Sequence, residues 1–559
     1  MIRKFFYNQI NSITVAAFLI AFSSLVSRFL GIFRDRILAA EFGAGDVLDV
    51  YYAAFRIPDM IFNLLVLGAL SAGFIPIFTS LIKNEDETDK NKDAWRFANN
   101  MLNALGLFLI ILSLVIIIFT PQIMKLITPG FSEDKLQDTV EMTRIMFLSP
   151  FFMGISSVIG GVLQSFKRFF VYSLSPIFYN IGIIFGALYF VPRFGIEGLA
   201  WGVVLGAFLH MAVQLPLFDR LGWKYRLILD LKDISMRKIG QLMVPRTLTL
   251  AITQLNLLII TIVASGLESG SLSVFNLANN LQSFPAGIFG VSFALAAFPA
   301  LSAAADKNDK MIEHFSSTFR QILFFIIPST VLLLTLRAQI VRVVLGSGAF
   351  NWHDTVITID TLAYFTAGLF AQATIPLLVR VFYARQNSKT PFYVGLLSVG
   401  MNVALSLWLP NVENCKDVLN TSGEFAMECG PLGVSGLALA FSISSIFNFI
   451  FLWVALRQSL GHLDEKRIIN SVLKFSIASV ACGLAVQGTK LLIWPYIDMT
   501  KVWGVVLQGA AAGLGGISVY LAFTSFLRSE EMMGFWLSFK RRLPWHKIEA
   551  GDQGEARGI

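Results

Sequence analysis

Charge is scarce in this chain. Only 14% of its 559 residues are Asp, Glu, Lys or Arg, whereas 55% are hydrophobic, and a soluble protein carries about 25% charged residues. With a mean hydropathy of +0.68, this composition excludes a soluble multidomain protein. Metal and redox groups are equally sparse. The three cysteines (Cys415, Cys429, Cys482) form no CxxC pair, and the five histidines are scattered without ligand spacing. No Walker loop and no nucleophile–base pairing is present, so catalysis and ATP use have no sequence support. No cleavable signal peptide is expected, because the first apolar run is too long and no small-residue cleavage site follows it. The net charge of +8 is a topology signal in such a chain and gives no reason to expect nucleic acid.

What the sequence has in abundance is apolar length. About fourteen segments reach the roughly 20 residues a span needs. They lie near 13–33, 47–81, 97–120, 139–163, 171–191, 196–218, 236–265, 273–303, 313–336, 355–384, 391–410, 432–456, 468–493 and 502–527. The long second, seventh, eighth and tenth each contain Pro or Gly, which predicts tilted or kinked helices. With the N-terminus inside, the inner segments hold roughly 28 Lys/Arg against roughly 10 outside. Both termini are therefore expected in the cytoplasm. The tail run Lys540-Arg541-Arg542 with Lys547 then either faces anionic headgroups or is simply solvated. The 411–431 loop falls outside, where an oxidising environment permits a Cys415–Cys429 disulfide.

The chain repeats itself. Gly73-Phe74-Ile75-Pro76 is echoed by Ala297-Phe298-Pro299, and Gly161–Arg168 by Val381–Lys389. Gly195-Ile196-Glu197-Gly198-Leu199-Ala200 is echoed by Gly433-Val434-Ser435-Gly436-Leu437-Ala438. The first two offsets are about 220 residues, and the third is longer by about the 411–431 insertion. Six spans per repeat is an even number, so the halves are parallel. The expected fold is an all-α polytopic membrane protein of about fourteen transmembrane helices, in two parallel six-helix repeats plus two extra C-terminal helices. The expected divisions are 1–230, 231–460, 461–530 and a basic cytoplasmic tail, 531–559. Paired halves suggest alternating access around a central site.

Polar stripes mark that centre. Ser24, Arg28, Gly31 and Asp35 share one helical face of the first segment, with Arg34 about 120° away. A charge at bilayer depth costs about 2.5–3.5 kcal/mol on insertion scales. The competing reading has Arg34, Asp35 and Arg36 marking a helix end and snorkelling. Segment two carries Asp49, Tyr52, Arg56, Asp59 and Asn63. Segment seven carries Arg246, Thr249, Thr253 and Asn256, and segment eight carries Asn276, Asn279, Asn280 and Ser283. The Asn and Thr residues read equally well as interhelical glue. The arginines favour a function, because a guanidinium fork binds phosphate or pyrophosphate bidentately. An anionic phosphorylated substrate is the chemical expectation.

At this point the residues resemble the lipid II flippases of the MurJ/MviN family. The resemblance rests on Ser27-Arg28-x-Leu30-Gly31-x-x-Arg34-Asp35, Phe42-Gly43-Ala44-Gly45, Asp49 and Ala54-Phe55-Arg56-x-Pro58. It continues in Thr128-Pro129-Gly130-Phe131, Phe284-Pro285-x-Gly287-x-x-Gly290-Val291 and Phe382-Tyr383-Ala384-Arg385-Gln386-x-x-Lys389-Thr390-Pro391. It covers segments one to twelve. It implies a fold of the multidrug/oligosaccharidyl-lipid/polysaccharide exporter class in a bacterial cytoplasmic membrane. It also implies a monomer in membrane lipid and a cationic cavity for the lipid II headgroup. A groove by the last two segments would take the polyprenyl tail. No cofactor is implied beyond a coupling ion or the membrane potential. Arg28, Arg34, Asp35 and Asp49 match family functional positions. The chain departs from the family at Phe62-Asn63 and Asn279-Asn280, where well-studied members carry arginines; Arg246 and Arg56 are the expected substitutes. The alternatives are an exporter of another polyprenyl-pyrophosphate-linked sugar, a small-molecule antiporter of the same fold, and a non-transporting envelope scaffold.

Overall fold

In a bilayer every backbone N–H and C=O must be satisfied within the chain, so apolar runs of this length fold as helices. The computed structural model describes residues 13–67, 73–82, 91–419, 425–534 and 536. The basic residues Arg3, Lys4, Lys540, Arg541, Arg542 and Lys547 lie outside that set. Among the described residues ten helices are long and apolar enough to cross a membrane, or eleven if the bent pair Trp352–Ala367 and Leu369–Ala384 forms one span. The helices Ile13–Phe42, Asp46–Ile61 and Ile234–Ser265 are not in that count.

The helices fall into two compact units, Met1–Asn276 with Leu345–Asp354, and Leu277–Val344 with Thr355–Ile559. In the first unit, helices Phe169–Phe185 and Glu197–Ala212 approach through glycine. A Cβ on Gly182 would collide with Gly206, and one on Gly186 with Gly202. Small residues spaced by four let helix backbones touch where no hydrophobic effect drives association. The rings of Phe74, Phe78, Trp95, Phe97, Phe166 and Phe218 form one stacked and edge-on cluster in this unit.

In the second unit, helices Asn308–Thr335, Glu465–Ile493 and Val502–Phe526 pack together. Tyr520 donates its hydroxyl to the Phe324 carbonyl at 2.7 Å, and Gln339 bonds Gln508 at 3.0 Å. After the last helix the chain turns back. Buried Arg320 pairs with Glu530 at 3.1 Å and with Glu531, and Arg467 holds Glu530 at 2.6 Å. The expected outer loop is a hairpin, with β1 (Glu413–Leu419) antiparallel to β2 (Phe425–Pro431) and Cys415 directly opposite Cys429. Their side chains lie outside the described set. Directly opposed residues have Cα atoms about 4.5–5.5 Å apart, inside the span a disulfide bridges.

The internal repeat is visible in the backbone. Residues 133–165 break at Phe147 and residues 352–384 at Gly368. The turns that follow end on Lys167 (φ 58°) and Gln386 (φ 57°), both non-glycine residues in the left-handed region. Gly195 (φ 65°) and Gly433 (φ 55°) enter the next helices alike. π-helical turns follow helices Asp46–Ile61 and Ser271–Pro285, at Phe62–Leu67 and at Ala286–Val291, and a further one, Gly186–Phe190, follows helix Phe169–Phe185. The Ala286–Val291 turn lies on the Phe284-to-Val291 motif, where Gly290 packs against the Ala373 backbone. The β hairpin occupies the insertion that lengthens the third offset.

Candidate functional site

The opening helix runs from Ile13 to Phe42 without a break, about 45 Å at 1.5 Å per residue. Arg28, Arg34 and Asp35 therefore sit inside a helix and not at its end, which removes the helix-end reading of this cluster. Asp35 is 5% exposed. Arg34 donates to its Oδ1 from Nε at 3.0 Å and Nη2 at 2.8 Å, and from Nη1 to Asn180 Oδ1 at 3.2 Å. Asn180 in turn donates Nδ2 to the Pro176 carbonyl at 3.0 Å and to Ser27 Oγ at 3.5 Å. Arg34 is thus neutralised in place and tied to helix Phe169–Phe185.

Arg28 differs. It is half-buried and makes no hydrogen bond or ion pair among the described residues. A desolvated guanidinium without a partner is poised to accept an anion, with five donors in a planar fork.

Arg56 is buried and donates Nε to Thr261 Oγ1 on the Ile234–Ser265 helix at 2.9 Å. Asp59 accepts from Asn63 one turn on, at 2.9 Å. Asp49, 2% exposed, is saturated. Its Oδ2 accepts from Lys135 Nζ at 2.9 Å and Gly270 N at 2.8 Å, and its Oδ1 from Ser273 N at 2.9 Å and Ser273 Oγ at 2.7 Å. Lys135 also binds Asp46 at 2.6 Å and lies over the Phe131 ring.

Three quoted motifs meet at this junction. Gly130 of Thr128-Pro129-Gly130-Phe131 abuts the Ser265 carbonyl so closely that a Cβ would collide. Gly270 likewise abuts Ala44 of Phe42-Gly43-Ala44-Gly45. Asp354 accepts from the Ala44 amide at 3.2 Å.

Arg246 lies within helix Ile234–Ser265, which is capped by Asp233 accepting from Ser235 N at 2.8 Å and Met236 N at 3.3 Å. It is about three turns inside the helix, not at its start; its side chain is outside the described set. Asn279 and Asn280 belong to the second unit. Gln282 donates to Asn279 Oδ1 at 3.0 Å and to Gln372 Oε1 at 2.9 Å, the pattern of interhelical glue.

Sequence reading missed several residues. Asn180 and Lys135 anchor the clusters above. Arg380 of helix Leu369–Ala384 has a buried Nη1 without a hydrogen-bond partner among the described residues; an arginine inside the tenth apolar segment was the available signal. The second unit also holds an apolar groove of about 590 Å³, lined by Phe319, Leu323, Phe449, Trp453, Ile468 and Val472 among others. Segments nine, ten, twelve and thirteen build it, while the fourteenth contributes no lining residue. At its end Glu465 pairs with Arg457 at 2.8 Å.

A predominantly helical, repeat-built membrane protein, with an arginine inside a helix that has no partner among the described residues, belongs to the class of transporters with internally repeated folds. Residues 38–507 match the family model described as lipid II flippase MurJ, and the chain belongs to that family. The probable lipid II flippase MurJ of Thermotoga maritima is 30% identical over 522 residues, 92% of this chain and 97% of the relative. That of Buchnera aphidicola subsp. Baizongia pistaciae is 30% identical over 483 residues, 84% and 88% of the two chains. A solved lipid II flippase MurJ in an inward closed conformation superposes with a TM-score of 0.72 at 24% identity, covering 94% of this chain and 100% of that one. An inward-facing multidrug resistance MATE transporter of the MOP superfamily gives 0.60 at 15% identity, covering 78% and 95%. The shared fold is that of the exporter superfamily.

Proposed function

We propose that this chain is a lipid II flippase, carrying the polyprenyl-pyrophosphate-linked peptidoglycan precursor from the inner to the outer leaflet by alternating access. The observation that carries the chemistry is Arg28, a half-buried guanidinium inside a membrane helix with no partner among the described residues. The pyrophosphate supplies the missing anion. Arg34, Asp35, Arg56 and Asn180 set the surrounding frame, and Asp49 clamps its end. The groove beside Trp453 and Ile468 offers an apolar bed for the polyprenyl tail. Alternating access is assigned to motion of the N-terminal lobe (1–230) and the C-terminal lobe (231–460), and segment thirteen of the 461–530 division lines the tail path.

The protein works as a monomer, with both termini cytoplasmic and no covalent chemistry. An ion gradient or the membrane potential drives it without a cofactor. Arg246 adds positive charge that Phe62-Asn63 and Asn279-Asn280 do not supply, and Cys415 and Cys429 form a disulfide outside. A second reading, export of another polyprenyl-pyrophosphate-linked sugar, is favoured by one observation: Asn279 is engaged with Gln282 where the family carries charge nearby. Cells depleted of their own flippase separate the two. Restored lipid II in the outer leaflet supports the first reading, and its absence with normal membrane levels of this protein supports the second.

A further inference from the structure

Between helices Glu197–Ala212 and Ile234–Ser265 the chain forms the short helix Leu215–Arg220 and then an extended strap, held by a ladder of asparagines. Asn99, Asn100 and Asn103 project from the first turns of helix Lys92–Ile127. Asn100 copies a β ladder, donating Nδ2 to the Asp230 carbonyl and accepting from the Asp230 amide, both at 2.8 Å. Asn99 donates to the Lys224 carbonyl at 3.0 Å and accepts from the Arg226 amide at 3.1 Å. Asn103 donates to the carbonyls of Arg226 and Ile228, each at 2.9 Å. Only even-numbered residues are gripped through their backbone.

Trp223 and Tyr225 turn back and donate to Asn99 Oδ1 at 3.1 Å and Asn103 Oδ1 at 3.0 Å, but from Leu227 on the odd-numbered side chains stand out. Leu227 is 82% exposed, Leu229 51% and Leu231 63%, and Ile234, the first residue of the next helix, is 85% exposed. An extended chain alternates its side chains with period two, so Leu227, Leu229 and Leu231 form one apolar ridge. Lys224, Arg226 and Lys232 alternate with it and are exposed. The ridge also lies at a definable depth. The exposed apolar surface of helix Lys92–Ile127 begins at Leu107, one turn past Asn103, or about 6 Å. The interfacial layer on each side of a bilayer is about 5–8 Å thick, so the strap falls within it.

We infer that the 223–234 strap is an interfacial anchor whose occupant is the anionic phospholipid leaflet. Leu227, Leu229 and Leu231 enter the acyl boundary, and Lys224, Arg226 and Lys232 take headgroup phosphates. Apolar side chains on one face and cations on the other are the pattern of segments that lie in the interface. The ladder fixes the register, so the ridge is presented without the ordering cost of a free loop. That this leaflet is the cytoplasmic one rests on the orientation proposed above.

Site-directed spin labelling of the full chain in nanodiscs tests the anchor, with Cys415, Cys429 and Cys482 replaced by alanine. Labels at L227C, L229C and L231C should favour oxygen over a water-soluble nickel chelate, and labels at K224C and K232C should show the reverse. Adding phosphatidylglycerol to phosphatidylcholine should deepen the odd positions, and the triple variant K224Q/R226Q/K232Q should lose that dependence. Nickel reaching all five positions equally in both lipids would overturn the proposal. So would a protein partner crosslinked to Leu227 in cells whose labels stay water-exposed in nanodiscs, because the ridge would then be a protein-docking edge. Reaction of L229C with an impermeant thiol reagent from outside intact cells would refute the orientation and leave the depth pattern standing.

Discussion

Removing Arg28 and removing Arg34 should fail for different reasons. Arg28 has no intramolecular partner among the described residues, so Arg28→Ala leaves the apo protein intact. What it removes is a fork capable of two charge-assisted hydrogen bonds to a phosphate, each worth about 1.5–3 kcal/mol net. Together they amount to about 3–6 kcal/mol, or roughly two to four decades in export at limiting substrate. Arg28→Lys keeps the charge and loses the bidentate geometry, so it should recover only part. Arg34→Ala instead strips the guanidinium from Asp35, a carboxylate 5% exposed. Breaking such a pair from one side costs about 3–5 kcal/mol of stability. Membrane levels and melting in detergent should therefore fall for Arg34→Ala and not for Arg28→Ala. Arg34→Ala with Asp35→Asn should regain much of the loss. The assay is lipid II accessibility at the outer surface of depleted cells, normalised to protein level. Full export by Arg28→Ala would refute the central-site assignment. Normal levels and melting for Arg34→Ala would refute the claim that its main partner is Asp35.

Asp49→Ala should destabilise by about 3–5 kcal/mol, because Lys135 and two backbone amides lose one buried acceptor group. Asp49→Ala/Lys135→Met should recover part of this in a melting measurement, and strict additivity of the two changes would refute an energetic coupling between Asp49 and Lys135. After reduction, a membrane-impermeant thiol reagent should label Cys415 or Cys429 in intact cells, and labelling only after permeabilisation would invert the topology. A gel shift on reduction tests the disulfide, with free thiols in both cysteines under non-reducing conditions as the refuting result. Arg246→Ala should lose export and Asn280→Arg should restore some of it; normal export by Arg246→Ala leaves Arg246 with a headgroup role.

Hydropathy made the helices legible because a span's length is set by the bilayer, which the sequence must match wherever the chain crosses. The 220-residue echo was legible for a related reason: its quoted residues fall on backbone devices, among them the helix-entry glycines Gly195 and Gly433, that allow few substitutes. The hairpin at 413–431 was not, since its first strand carries Glu413, Asn414, Lys416 and Asp417 and reads as a polar loop. Nor was Lys135 readable as the partner of Asp49. It lies 86 residues away, on a segment that charge counting assigns to an outer loop, and periodicity carries no information across helices.

The opening stripe shows where a face argument stops. On a helical wheel Asp35 lies under Arg28, seven residues on, and Arg34 points about 120° away. That wheel assigns the carboxylate to Arg28 and leaves Arg34 as the free cation. The structure reverses the assignment, because Arg34 has enough reach to fold over its neighbour and hold Oδ1 with two nitrogens while its third reaches Asn180. Cα positions fix a face, but a guanidinium on a long flexible stem chooses among all acceptors within its radius, and the adjacent residue is nearer than one two turns away. Asn180 decides between the two, since an acceptor on a second helix rewards only the rotamer of Arg34. Once Arg34 takes Asp35, the charge on Arg28 has no internal answer among the described residues. The motif that looks like two arginines sharing one aspartate therefore separates into a structural pair and one cation left for an anionic substrate.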